Sequence, residues 1–147
     1  MRIVIDTNSV FSAVLNTDSK ISRIILQPRT SFNFYATEQL FSELTDHKSK
    51  IKTLSGYSDF ALDRTIQLIT ERIRFINVNL IPSSIYDLAK ERTIDIDIDD
   101  TEFVALTDHI KGKLWSGDKE LRKGLLLKKW NKFITTDELF KALHKPK

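Results

Sequence analysis

Five short apolar segments, at residues 3–5, 32–36, 74–78, 113–115 and 132–134, recur along the chain with stretches of helical spacing between them. That alternation leaves few folds open. Strands separated by helices line up in parallel, with the helices covering the sheet they connect. The first segment, Ile3-Val4-Ile5, is apolar at every position and runs into Asp6-Thr7-Asn8. It reads as a buried strand that delivers a carboxylate and a helix-capping pair to the edge of the sheet. The expected class is α/β, with a central parallel sheet.

The connections follow the same logic. Residues 9–26 divide into two short helices at a break over 16–19, with Val10, Phe11, Val14 and Leu15 in the first and Ile21, Ile24 and Ile25 in the second. Residues 37–54 open with Thr37-Glu38-Gln39 and place Leu40, Leu44, Ile51 and Leu54 on one stripe, the pattern of an amphipathic helix packed on a sheet. Residues 58–72 repeat it through Leu62, Ile66 and Ile69. Pro82-Ser83-Ser84 starts a helix to about residue 92, another covers about 99–110, and Asp118 begins the next through Leu121 and Leu125. Thr135-Thr136-Asp137-Glu138 has the form of a capping box and introduces a last helix carrying Leu139, Phe140 and Leu143.

A chain of 147 residues with 41% hydrophobic content can bury one ordinary core and is short for two, so one domain over 1–147 is expected. It has no cysteine. Disulfide scaffolds, thiolate zinc sites and cysteine nucleophiles are therefore excluded, and a reducing compartment fits. The first strand opens at residue 3, which leaves no room for a signal peptide, and no apolar run nears the roughly 20 residues that span a bilayer. A soluble, cytoplasmic protein is expected. The charge is uneven: residues 1–108 carry 12 Lys/Arg against 16 Asp/Glu, whereas residues 109–147 carry 11 against 4. A basic flank beside an acidic pocket suits a polyanion, although a solvated lysine-rich surface has the same composition.

Four acids far apart in sequence converge on one edge of this sheet. Asp6 ends the first strand, and Asp118 follows Leu114-Trp115 and a Ser116-Gly117 turn at a second strand-to-helix junction. Advancing about 100° per residue, Leu40, Leu44, His47, Ile51 and Leu54 fall within about 40° of one direction, with Glu43 about 60° away. Glu43 thus borders the buried stripe, and His47 reads as a packed histidine rather than a ligand. Asp100 stands above the inward stripe of Phe103, Val104 and Thr107; Asp99 borders that stripe and Glu102 points away. Taken singly, the aspartates can be helix caps and Glu43 a solvated edge residue. Gathered at one edge they repel one another and are costly to desolvate, a state that a hard divalent cation relieves. Ligands of open α/β sheets bind beyond the carboxyl ends of the strands, and a metal site is expected there.

The run Ile94-Asp95-Ile96-Asp97-Ile98-Asp99-Asp100-Thr101-Glu102 is the most acidic in the chain, but it is no EF-hand. A calcium loop starting at Asp95 needs glycine sixth and glutamate twelfth and finds Asp100 and Leu106. Asp95 and Asp97 read as a solvated run.

The stretches Ile5-Asp6-Thr7-Asn8, Glu43 on an early helix, Asp99-Asp100-Thr101-Glu102-Phe103-Val104-Ala105-Leu106 and Leu114-Trp115-Ser116-Gly117-Asp118-Lys119-Glu120-Leu121 together resemble the PIN-domain nucleases. Within that family the chain is most similar to stand-alone, toxin-like ribonucleases of prokaryotes. The resemblance covers essentially the whole sequence. It implies a PIN-like three-layer α/β/α domain with a central parallel sheet of about five strands and an acidic pocket for Mg²⁺ or Mn²⁺. Asp6, Glu43, Asp100 and Asp118 match the family's acidic positions, Asn8 and Ser116 its polar accessory ones, and Asp99 competes with Asp100 for the third place.

The activity implied is metal-dependent hydrolysis of RNA phosphodiester bonds, with Asp6, Asp100 and Asp118 at the metal and Glu43 at a second ion or the attacking water. Lys119, Arg122, Lys123, Lys128 and Lys129 are candidates to contact phosphates. An antitoxin protein and a second copy of the chain are possible partners. A phosphoacceptor receiver domain also gathers aspartates at a sheet edge, but Arg74-Phe75-Ile76-Asn77-Val78 supplies no acceptor. A non-catalytic PIN-fold module that binds protein or RNA is the remaining alternative.

Overall fold

Strand β1 (Arg2–Ile5) sends Ile3 and Ile5 to one face of the sheet and Val4 to the other, and all three are fully buried. The computed structural model, which describes residues 1–28 and 30–144, repeats this division in the other strands. These are β2 (Asn33–Thr37), β3 (Ile73–Ile76), β4 (Lys113–Trp115) and β5 (Phe133–Ile134). Phe34, Ala36, Trp115 and Ile134 join Ile3 and Ile5 in one core, and Leu114 joins Val4 in the second. The strands lie in the order β3-β2-β1-β4-β5, every neighbouring pair parallel.

Helices cover both faces. Buried residues of α1 (Thr7–Leu15), α2 (Lys20–Leu26), α3 (Gln39–Asp46), α4 (Lys48–Ser55), α5 (Asp59–Thr70) and α9 (Thr136–Leu143) fill the first core. Those of α6 (Ser83–Thr93), α7 (Thr101–Ile110) and α8 (Lys119–Leu127) fill the second. The result is the expected three-layer α/β/α arrangement. Trp115 anchors it: the side chain is 1% exposed and its indole N–H donates to Thr136 Oγ1 at 3.0 Å. Truncating such a residue to alanine costs about 3–5 kcal/mol.

From β1 the chain steps outward through β2 to β3, then returns to lay β4 against the other side of β1. The helix after β1 packs on one face and the helix after β4 on the opposite face. Two adjacent strands whose connections diverge in this way open a crevice at their carboxyl ends. Gly112 permits the close approach of β4, because a Cβ there would lie 2.6 Å from the Arg2 carbonyl oxygen.

One helical stretch departs from expectation. Residues 37–54 do not form one helix but α3 and α4, which break at His47, where φ is −101° and ψ 9°. A constant angular advance loses its phase at that break. Leu40, Leu44 and Ile51 remain buried, but Leu54 is 64% exposed and off the stripe. Thr37 closes β2 and does not cap α3, and His47 is exposed, with its ring 5.5 Å from that of Phe11. The final capping box is present: Thr135 Oγ1 accepts from the Glu138 N–H at 3.1 Å, and Glu138 Oε1 accepts from the Thr135 N–H at 3.2 Å.

Candidate active site

The apolar run of β1 ends where the chain must turn into α1, and Asp6 makes that turn. Its Oδ1 accepts from the Ser9 N–H at 2.9 Å, and its Oδ2 accepts from the Ser116 hydroxyl at 2.6 Å. Ser116 Oγ in turn accepts from the Asp118 N–H at 3.1 Å, while Asp118 caps α8 by accepting from the Leu121 N–H at 3.0 Å. The capping role weighed for these aspartates is therefore real. It does not compete with a ligand role, because each carboxylate keeps lone pairs beyond those the caps use.

The third strand-edge element is a 3-10 turn at Ile98–Asp100 that leads into α7. Asp97 starts it by accepting from the Asp99 N–H at 3.0 Å. Side chains three apart in such a turn eclipse, so Asp97 and Asp100 share a side. One carboxylate oxygen each from Asp97, Asp100 and Asp118 lies within 4.8 Å of the others. The crowding shows in Asp100, whose carboxyl is pushed up to about 7, first by burial and then by the charges of Asp97, Asp6 and Asp118.

Next to this cluster is a cavity of about 380 Å³. Asp6, Asn8, Glu43, Asp99 and Asp100 all line it, so five of the residues singled out in the sequence meet at one place. Ser116 joins Asp6 to Asp118 behind it. Glu43 stands apart from the three-carboxylate cluster, with its Oε1 accepting from the Gln39 amide at 2.8 Å. Asp99 is exposed where Asp100 is half-buried.

Four further residues belong to the surroundings. Asp97 and Gln39 line the cavity, as does Thr7, whose hydroxyl is buried without a hydrogen-bond partner. The spacing of three between Asp97 and Asp100 was the signal in the sequence for the first. Glu102 is a correction: it does not point away but is half-buried, with Oε2 sealed and unpartnered. Burial holds its carboxyl above the usual range and the charge of Glu43 adds to this, while the nearby Thr37 hydroxyl opposes it. α7 is buried over most of its circumference, Thr101 and residues 103–107 alike, so a position turned away from Phe103 and Val104 is still covered.

Of the basic candidates, Lys119, Arg122 and Lys123 are exposed along α8, beginning one residue after Asp118. Among the described residues none of them makes a side-chain hydrogen bond or ion pair. Lys128 is otherwise engaged, pairing with Asp95 and donating to the Arg92 carbonyl at 2.8 Å, and Lys129 is exposed.

The donor set fits a hard divalent ion. It is all oxygen, and its like charges crowd together, as the raised Asp100 carboxyl shows. The parallel α/β sheet gathers these carboxylates at its switch point, where ligands of such sheets bind. The family model for the PIN domain matches residues 4–139, and the chain belongs to the PIN-domain family, a family of nucleases. A comparison with curated proteins found no match. No helix among the described residues is long and apolar enough to cross a membrane.

Proposed function

We propose that this chain is a metal-dependent ribonuclease that hydrolyses RNA phosphodiester bonds at the carboxylate pocket. The observation that carries the reading is the approach of the Asp97, Asp100 and Asp118 oxygens to within 4.8 Å, with the Asp100 carboxyl pushed up to about 7. Such repulsion is costly unless a cation offsets it.

Asp6, Asp100 and Asp118 hold Mg²⁺ or Mn²⁺, and Glu43 serves a second ion or orients the attacking water. Bound there, the ion supplies charge neutralisation at the phosphate and a water of lowered pKa. Ser116 keeps Asp6 and Asp118 in register through its two hydrogen bonds, and Gln39 fixes the Glu43 carboxylate. Asn8 and Asp99, both exposed and lining the cavity, contact the substrate or its hydration shell. Lys119, Arg122 and Lys123 hold phosphates of the incoming strand. The setting we assign is the cytoplasm, as the toxin of a toxin-antitoxin pair, with an antitoxin protein and a second copy as partners. That role rests on the resemblance to toxin-like ribonucleases.

The test is digestion of matched single-stranded RNA, single-stranded DNA and duplex with Mn²⁺, with Mg²⁺ and with EDTA. Cleavage of RNA that needs the ion is expected. Equal cleavage of DNA would overturn the ribonuclease assignment. If no nucleic acid is cut while wild type and Asp6→Ala bind a partner protein equally well, the chain is a non-catalytic binding module.

A further inference from the structure

Helix α3 ends at His47 without glycine or proline, and the imidazole there is exposed although Leu44 before it and Ile51 after it are buried. Its ring meets that of the half-buried Phe11 on α1, with centroids 5.5 Å apart and planes tilted by 48°. Helical periodicity places this pair relative to the pocket. Residues three or four apart share a helix face. Phe11 follows Asn8 by three and His47 follows Glu43 by four, and Asn8 and Glu43 both line the carboxylate cavity. α1 packs against both α3 and α4. The aromatic pair is therefore the next layer of the same two walls, one helical turn, about 5.4 Å, away from the cavity.

Charge changes sign along this path. Asp6, Glu43, Asp97, Asp99 and Asp100 line the cavity, whereas residues 47–56 carry three lysines and no acid. Lys48 and Lys52 pair with Asp63 and Asp59 of α5. Lys50, exposed and three residues beyond His47, has no ion-pair partner among the described residues. An open aromatic face followed by a free cation matches a single strand of nucleic acid, which offers a flat base and then a phosphate.

We propose that Phe11 and His47 form a stacking platform for the base of the nucleotide flanking the scissile phosphate, with Lys50 holding the phosphate beyond it. This rests on the reading of the cavity as the site of RNA cleavage. Because α8 covers the opposite face of the sheet from α1, α3 and α4, the strand crosses the sheet edge from α8, through the cavity, into the groove between α1 and α3. Stacking is tolerant of sequence, since every base has a π-face. The platform thus sets where the strand lies rather than which sequence is cut.

Fluorescence anisotropy of labelled single-stranded RNAs, each with one nucleotide made abasic, tests the proposal on the slow-cleaving Asp100→Asn protein. Removing the base at one position should weaken binding about tenfold. In His47→Ala, and in Phe11→Leu, which keeps an apolar side chain against the core, the intact RNA should bind about tenfold more weakly and that abasic penalty should disappear. His47→Phe, which restores a ring, should restore the penalty. Lys50→Ala should lower the log–log salt slope by about 0.7 and leave the penalty in place. If wild type cuts no RNA and no RNA binds, the ribonuclease reading falls and takes the inference with it. If wild type cuts RNA but no position shows a penalty, or the same penalty persists in His47→Ala and Phe11→Leu, the platform alone is overturned. His47→Phe behaving as His47→Ala would overturn it as well. Should Phe11→Leu melt early, His47→Ala, which alters an exposed side chain, decides the matter.

Discussion

The Ser116 hydroxyl donates to the Asp6 carboxylate at 2.6 Å, tying the end of β4 to the end of β1 across 110 positions of sequence. Asp6 is 4% exposed, so little solvent is at hand to replace that donor. Ser116→Ala should therefore cost about 1–3 kcal/mol. Urea denaturation would show it as a lower midpoint with an unchanged slope. A variant as stable as wild type would mean that the hydrogen bond does not hold the two strands' ends together.

Asp100 gives a pH signature in the ion-free protein. Its carboxyl rises from an ordinary 3.8 to about 7 on folding, so the fold disfavours the charged form. The resulting penalty is absent below pH 3.8, grows as the pH rises, and is complete above 7. Asp100→Asn should accordingly stabilise the protein at pH 8 in EDTA, on the order of 1–2 kcal/mol once solvent screening of a half-buried group is allowed for. Near pH 4 the gain should vanish. Thermal melts at both values check this; an equal gain at each would assign the effect to something other than ionisation.

Charge reversal at Arg122 and Lys123 probes the substrate path. Both side chains are exposed on α8, the helix that Asp118 caps. The double variant should bind single-stranded RNA more weakly and with a flatter salt dependence, by about 0.7 in log–log slope for each phosphate that is no longer neutralised. Its Mn²⁺ affinity should stay close to wild type. Unaltered RNA binding would move the path to another surface.

Much of the fold was legible because its strands are short, apolar and well separated. All five observed strands overlap the segments at 3–5, 32–36, 74–78, 113–115 and 132–134. The break at His47 was hidden, since neither glycine nor proline marks it and the apolar spacing continues across it into Ile51. Asp6, Asn8, Glu43, Asp99 and Asp100 were recognised as one group because strand ends and helix faces bring them to the same edge. Glu102 was misread because α7 is buried over most of its circumference, so that a position turned away from Phe103 and Val104 is still covered beside Thr37. Asp97 is exposed as a solvated run would be, and what the sequence hid is that the 3-10 turn it caps also brings it to the cavity beside Asp100. Thr7 carries no sequence signal for its orphaned hydroxyl, which depends on how α1 packs.

Single-turnover cleavage of a single-stranded RNA in Mn²⁺, by wild type and by Asp100→Asn of matched circular dichroism, tests the central claim most directly. Wild type should cleave, EDTA should stop it, and Asp100→Asn should be slower by about a hundredfold or more, equivalent to roughly 2.7 kcal/mol of lost transition-state stabilisation. Cleavage by Asp100→Asn at the wild-type rate, or wild-type cleavage that persists in EDTA, would contradict a metal-dependent nuclease at this pocket.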